Sequence, residues 1–192
     1  MQDASVSRYP FPSFEEMPPD VRARCMEVQE KSGFVPNVFL ALAHRPDEFR
    51  AFFAYYDALM LKESGLSKAE REMIVVVTSA ANQCEYCVIA HGAILRIYAK
   101  DPLIADRIAV NWRKAELSAK RRTMIEFALK VALRSHEIEE ADFEALAAHG
   151  FSREDAWDIG AVAALFALSN RMANLAGMRP NREFHDIGRQ PR

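Results

Sequence analysis

Apolar residues recur at helical spacing through most of the chain, and helix punctuation stands between the periodic stretches. Pro18-Pro19-Asp20 opens a first helix with Val21, Cys25 and Val28 at i, i+4 and i+7, and Gly33 closes it. A short helix follows Pro36-Asn37. Pro46-Asp47-Glu48 starts a longer one, with proline in the first turn and acids at the positive dipole end. Phe49, Phe52, Phe53, Tyr56, Leu59 and Met60 give it a wide apolar face, and Gly65 is its expected stop. Ser67 and Glu70 form an S-x-x-E capping box for the next helix. Asp101-Pro102 divides two helices, Ser118, Glu139-Glu140 and Ser152 mark further starts, and Gly150 and Gly177 two stops. The last helix, about 152–176, carries Trp157, Ala161, Ala164, Leu165, Leu168, Met172 and Leu175 on one face.

One stretch is ambiguous. Ile74-Val75-Val76-Val77-Thr78 is β-branched and would suit a buried strand. A capping box starts the pattern that runs through it, and no other segment supplies partner strands for its backbone groups. It is therefore read as helix, and the fold class as all-α.

The pattern also repeats. Leu66–Ile74 matches Leu117–Ile125 at five positions without a gap, and both copies begin a similar helix, which favours duplication over coincidence. The second copy has Thr123 for Glu72, and Ser135 and Ile138 for Cys84 and Cys87. The expected organisation is an N-terminal arm (1–17), a helical domain (18–180) and a C-terminal tail (181–192). Within the domain, a first lobe covers about 33–100 and a second about 101–178.

Composition narrows the function. With 25 Lys+Arg against 27 Asp+Glu and no basic run, the chain lacks the clustered cations of a nucleic-acid binder. Met1-Gln2-Asp3-Ala4 has neither the basic nor the apolar region of a secretory signal, and no apolar run approaches the roughly 20 residues of a membrane span. Three cysteines are too few for a disulfide scaffold. A cytoplasmic, thiol-reducing location is expected, without membrane or nucleic-acid partners.

The chemistry concentrates in Cys84-Glu85-Tyr86-Cys87-Val88-Ile89-Ala90-His91. Asn82-Gln83 acts as the turn before a new helix, on which Cys84, Cys87 and His91 fall within about 60° of arc. Cysteines three apart can close a small disulfide, and a helix N-terminus favours a thiolate. His91, four residues beyond Cys87, is placed to take its proton. An antiparallel return would bring Glu72 beside His91 to orient the imidazole.

Other readings are weaker. Zinc on Cys84, Cys87 and His91 wants a fourth ligand; no second CxxC or HxxxH exists, and Glu72 is the one candidate. Covalent haem needs histidine where Val88 stands. A thioredoxin-like fold lacks its further strands, and inert packing of both cysteines fits poorly with His91 on their face. No metal or cofactor is expected. Cys25 lies on an apolar stripe and is read as packing, and His44, His136, His149 and His185 as helix-end or loop residues. The polar run Ser169-Asn170-Arg171 on an apolar helix is either surface, an oligomer contact or the far wall of the pocket.

Glu72, eleven residues, then Cys84-x-x-Cys87-x-x-x-His91 resembles the alkylhydroperoxidase D (AhpD-like) and carboxymuconolactone decarboxylase superfamily, in its peroxidase-related branch. Gly33-Phe34-Val35-Pro36-Asn37, Leu66-Ser67 and Ser169-Asn170-Arg171 support the likeness, which covers about 33–178. It implies an all-helical fold with an internal repeat and a homo-oligomer: dimer, trimer or hexamer. Cys87 would be the peroxidatic cysteine, Cys84 the resolving one, and His91 with Glu72 the proton relay. One position departs: the AhpD-type pattern has histidine before the second cysteine, where this chain has Tyr86, a poor base near neutrality with a reference pKa of about 10. The dithiol points away from lactone decarboxylation, which needs acid–base groups.

The expected function is thus a thiol peroxidase that reduces hydroperoxides and is recycled by an external dithiol of lipoyl or thioredoxin type. A CxxC disulfide reductase or redox sensor, and a non-enzymatic oligomeric scaffold, are the alternatives.

Overall fold

Ten α-helices dominate residues 6–189, the part of the chain that this computed structural model describes, and no strand occurs among them. The first five residues of the expected arm and the last three of the tail lie outside the described residues. α1 (Pro19–Ser32), α2 (Asn37–Ala43) and α3 (Pro46–Met60) meet through aromatic side chains, with Phe39 stacked on Phe53 at 4.2 Å. α4 (Lys68–Ala81) and α5 (Glu85–Ala99) form a tight hairpin; α6 (Ile104–Asn111), α7 (Ala119–Arg134) and α8 (Glu140–Ala148) follow. The long α9 (Arg153–Ala176) packs across α4 and α7, and a short α10 (Glu183–Asp186) lies on α5.

The ambiguous β-branched stretch is helical. Ser67 and Glu70 cap α4 reciprocally, and every residue from Ala69 to Ser79 is buried. Burial of that whole circumference outweighs the few tenths of a kcal/mol by which β-branched residues disfavour a helix, since each buried Val or Ile contributes roughly 1.5–3 kcal/mol.

The repeat has a physical counterpart. Arg71 on α4 reaches back to the carbonyl of Lys62 at 2.8 Å, and Arg122 on α7 reaches back to the carbonyl of Arg113 at 2.9 Å. Second contacts go to Ser64 and to Ala115. Both clasps span nine residues and tie the incoming loop to its helix at matched positions. Ser67 and Ser118 cap the two helices alike.

Two expectations about α3 and α9 need correction. α3 ends at Met60, not at Gly65. Gly65 serves the packing of the loop instead. A Cβ there would lie 2.2 Å from Asp155 Oδ1, so glycine is what lets this loop close on the α9 capping box. On α9 the buried face contains Ile159, Val162, Ala163, Leu165, Phe166, Asn170 and Ala173. Of the residues expected on one apolar face, Leu165 points inward while Trp157, Leu168, Met172 and Leu175 are exposed, Trp157 by 71%. The helix is apolar almost all round, so large side chains on the outer stripe outcompete smaller ones on the true core face. α9 is also the one described helix long and apolar enough to cross a membrane by length and composition; here it packs on α4 and α7.

Both ends of the described stretch are tied to the helices. Arg8 donates its backbone N–H to Ala176 and its guanidinium to the Asn174 and Leu175 carbonyls, closing the C-terminus of α9. Arg96 on α5 holds the tail by donating to the carbonyls of Phe184 and Ile187.

Candidate active site

The α4–α5 hairpin builds the site. Asn82 caps α4, Gln83 turns the chain through a left-handed conformation (φ +54°), and the Cys84 N–H returns to the Ser79 carbonyl at 2.9 Å. Cys84 is the N-cap of α5, and its sulfur accepts the Cys87 N–H at 3.5 Å. The expected antiparallel return is present: His91 Nδ1 lies 2.7 Å from Glu72 Oε2, the carboxylate buried and the imidazole partly exposed. A carboxylate only accepts when ionised, so Nδ1 is the nitrogen that turns its hydrogen to Glu72, and in the neutral ring the lone pair is on Nε2. The ring is held edge-on by Phe166 at 4.6 Å.

The two sulfurs share a charge unequally. The Cys87 thiol donates to Cys84, and the Cys87 N–H and Asn170 add to this against the cost of burial, drawing Cys84 down to about 7. Cys87 is held well above the ordinary thiol range, first by that donation to Cys84 and then by burial. Access runs the other way. Cys87 and His91 line a cavity of about 110 Å³ with Tyr56, Tyr86, Phe166 and Ser169, and Cys84 is not among its lining residues. Cys84 is the easier sulfur to ionise; Cys87 is the cysteine that lines the cavity.

Tyr86 is not a base. Its hydroxyl accepts the Val38 N–H at 3.1 Å, fastening α2 to α5, and burial raises its pKa. A cleft of about 470 Å³ between α4, α6 and α7 is larger but has no thiol or histidine in its lining. Cys25 is fully buried in the aromatic layer and its thiol is pushed up to about 11 by burial, in keeping with packing. His44 pairs with the Ala41 carbonyl. Among the described residues, no three His, Cys, Asp or Glu side chains converge to hold a metal.

The carboxymuconolactone decarboxylase family model matches residues 46–102, the stretch holding Glu72, Cys84, Cys87 and His91. A solved structure from Ralstonia eutropha JMP134, an AhpD-core, uncharacterized peroxidase-related protein, is 66% identical, covers 99% of this chain and 100% of its own, and superposes with a TM-score of 0.98. The chain belongs to the AhpD-like, carboxymuconolactone decarboxylase family. A second AhpD-like relative, an uncharacterized peroxidase-related protein from Silicibacter sp. TM1040, is 42% identical over 98% of this chain and 99% of its own (TM-score 0.92). The debrominase Bmp8, solved in complex with 2,3,4-tribromopyrrole, shares the AhpD-like fold at 18% identity, over 97% of this chain and 96% of its own (TM-score 0.75). No curated protein matches.

The sequence singles out the four candidate residues but leaves their surroundings unassigned. Ser169 Oγ stands 3.8 Å from Cys87 Sγ, and Asn170, fully buried, donates to Ser79 Oγ and accepts from Asn82 Nδ2. Within that run, Ser169 lines the cavity, Asn170 is buried in the core and Arg171 is exposed. Phe184 from the expected tail lines the cavity and packs edge-on against Phe34 at 5.0 Å. Tyr56 lines it too, its phenol raised by burial and then by the Glu72 charge.

Proposed function

We propose that this AhpD-like protein is an oxidoreductase of the thiol peroxidase type. One observation carries the reading: the sulfur that faces the apolar-walled cavity shares it with a histidine whose other nitrogen is bound by a buried carboxylate. The Cys87 proton passes to His91 Nε2 or to the Cys84 sulfur, and the Cys87 thiolate attacks the outer oxygen of a hydroperoxide. The O–O bond breaks, an S–O bond forms, and the leaving alkoxide takes a proton from the relay, giving Cys87 sulfenic acid and an alcohol. The Cys84 thiolate then attacks the Cys87 sulfur; the S–O bond breaks, a disulfide forms, and the hydroxide leaves as water with a proton from solvent passed through His91. An external dithiol, lipoyl or thioredoxin in type, reduces the disulfide by exchange. The cytoplasm is the proposed location, where such reductants are kept.

A homo-oligomer is part of the proposal. Trp157, Ala164, Leu168, Met172 and Leu175 form an exposed apolar stripe along α9, about 27 Å long at 1.5 Å per residue. A stripe of that size outside the core fits contact with a second copy.

The decisive experiment is steady-state reduction of a hydroperoxide panel with a lipoyl or thioredoxin-type donor. Wild type turns over, Cys87→Ser does not, and Cys84→Ser stops after one sulfenic acid per chain. Cys87→Ser at wild-type rate would sink the assignment.

A further inference from the structure

We propose that Ser169 is a further residue of this reaction: its hydroxyl, delivered by α9, hydrogen-bonds the Cys87 sulfur and brings the negative charge of the dithiol to the sulfur that faces the cavity. The inference rests on the reading of Cys84 and Cys87 as a redox pair.

The pair has a directional difficulty. Cys84 ionises first, yet it stands behind the cavity; Cys87 faces the cavity, yet it serves as donor to Cys84. Charge has to reach Cys87 before attack, by passage of its proton to Cys84 or to His91. Asn170 favours charge on either sulfur and so does not choose between them. Ser169 does choose. Its hydroxyl lies 3.8 Å from Cys87 Sγ, its hydrogen-bond partner, and it lines the same cavity, where it favours charge on Cys87. While the Cys87 hydrogen goes to Cys84, the serine donates to a neutral sulfur; once that proton has moved, it donates to a thiolate, and the bond becomes charge-assisted and stronger. The interaction therefore grows along the path from resting dithiol to attacking thiolate.

The position is well fixed. Asn170, the next residue, is locked to Ser79 and Asn82 on the hairpin that carries the cysteines, and Asn174 one turn on donates to the Asn82 carbonyl. α9 is thus pinned to the turn before Cys84 close to Ser169's own contact. Reaction groups come from α4 and α5, and the tuning group from a helix 82 residues away in sequence.

The test reads thiol chemistry rather than turnover. Reduced wild type, Ser169→Ala and Ser169→Thr are alkylated with iodoacetamide from pH 5.5 to 9.5, and labelling of each cysteine is resolved by peptide mass spectrometry. Loss of one hydrogen bond to a charged group predicts about tenfold slower labelling of Cys87 at pH 7 in Ser169→Ala, and a midpoint about one pH unit higher. Labelling of Cys84 stays within about twofold of wild type, and Ser169→Thr, which keeps the hydroxyl, recovers the Cys87 rate. Alanine is the better helix former at this position, and an unchanged melting temperature confirms the fold. A Cys87 profile in Ser169→Ala that superimposes on wild type overturns the proposal, as does a slow Cys87 that threonine fails to recover. Hydroperoxide turnover is measured alongside: its absence in wild type removes the peroxidase reading, while the alkylation profile still decides the role of Ser169.

Discussion

Glu72 on α4 and His91 on α5 meet across the hairpin at 2.7 Å, with the carboxylate almost entirely removed from water. The contact fixes the imidazole tautomer and directs the remaining lone pair, as an orienting carboxylate does in other nucleophile–base pairs. Glu72→Gln retains the size of the side chain but not its charge. It is expected to lower kcat/KM for hydroperoxide about 100-fold, within the range general-base contributions span, while circular dichroism stays unchanged. A loss below about threefold contradicts the relay.

The pH dependence follows from Cys84, drawn down to about 7 from the ordinary thiol value of 9.0. Its thiolate is favoured in the fold, so reactivity rises as pH climbs through about 7 and is lost as pH falls below it. A free thiol would show the same rise about two units later. Stopped-flow oxidation between pH 5.5 and 9 gives the midpoint directly; one near 9 would refute the shared-charge pair.

The tail forms part of the pocket. Phe184 lines the cavity and is held by Arg96 through its carbonyl. Phe184→Ala is expected to speed alkylation of Cys87 several-fold and to improve kcat/KM for cumene hydroperoxide relative to tert-butyl hydroperoxide. Equal kinetics with wild type would show that α10 does not limit entry.

Gly65→Ala tests the close approach to Asp155. A Cβ 2.2 Å from Oδ1 has to push aside the carboxylate that receives the Ser152 N–H at 2.8 Å and completes the α9 cap. A loss of roughly 1–2 kcal/mol in urea unfolding is expected, the range for a helix N-cap.

The outer stripe of α9 gives a test of assembly. In light scattering the wild type is expected at a multiple of the monomer mass, and the double variant Trp157→Glu/Leu168→Glu at the monomer mass, with its helical content retained. A wild type that runs as monomer at micromolar concentration removes the oligomer from the proposal.

Much of this is legible in the sequence because local chemistry announces helix ends. Ser67, Ser118 and Ser152 cap the helices whose starts they mark, and Gly33, Gly150 and Gly177 take the left-handed conformation that suits a stop. The reactive set is legible for a similar reason: Cys84, Cys87 and His91 are neighbours along one helix, and Glu72 needs only a hairpin. Long-range relations are not. On α9, tracing the period through Ile159, Val162 and Phe166 leads to Asn170, a polar residue on the core face; tracing it through Trp157 and Leu168 hides that anomaly. α10, four residues long, offers no period to detect.

The paired arginine clasps have an evolutionary consequence. They show one local construction used twice, 51 residues apart, to frame a common core. The two constructions differ where the first carries its candidate site. The difference is visible in Thr123 opposite Glu72, and in Asp142, at the place of His91, which holds Lys130 in an ion pair at 2.7 Å. The half that carries the proposed proton relay is thus matched by a half with an electrostatic brace at the corresponding place.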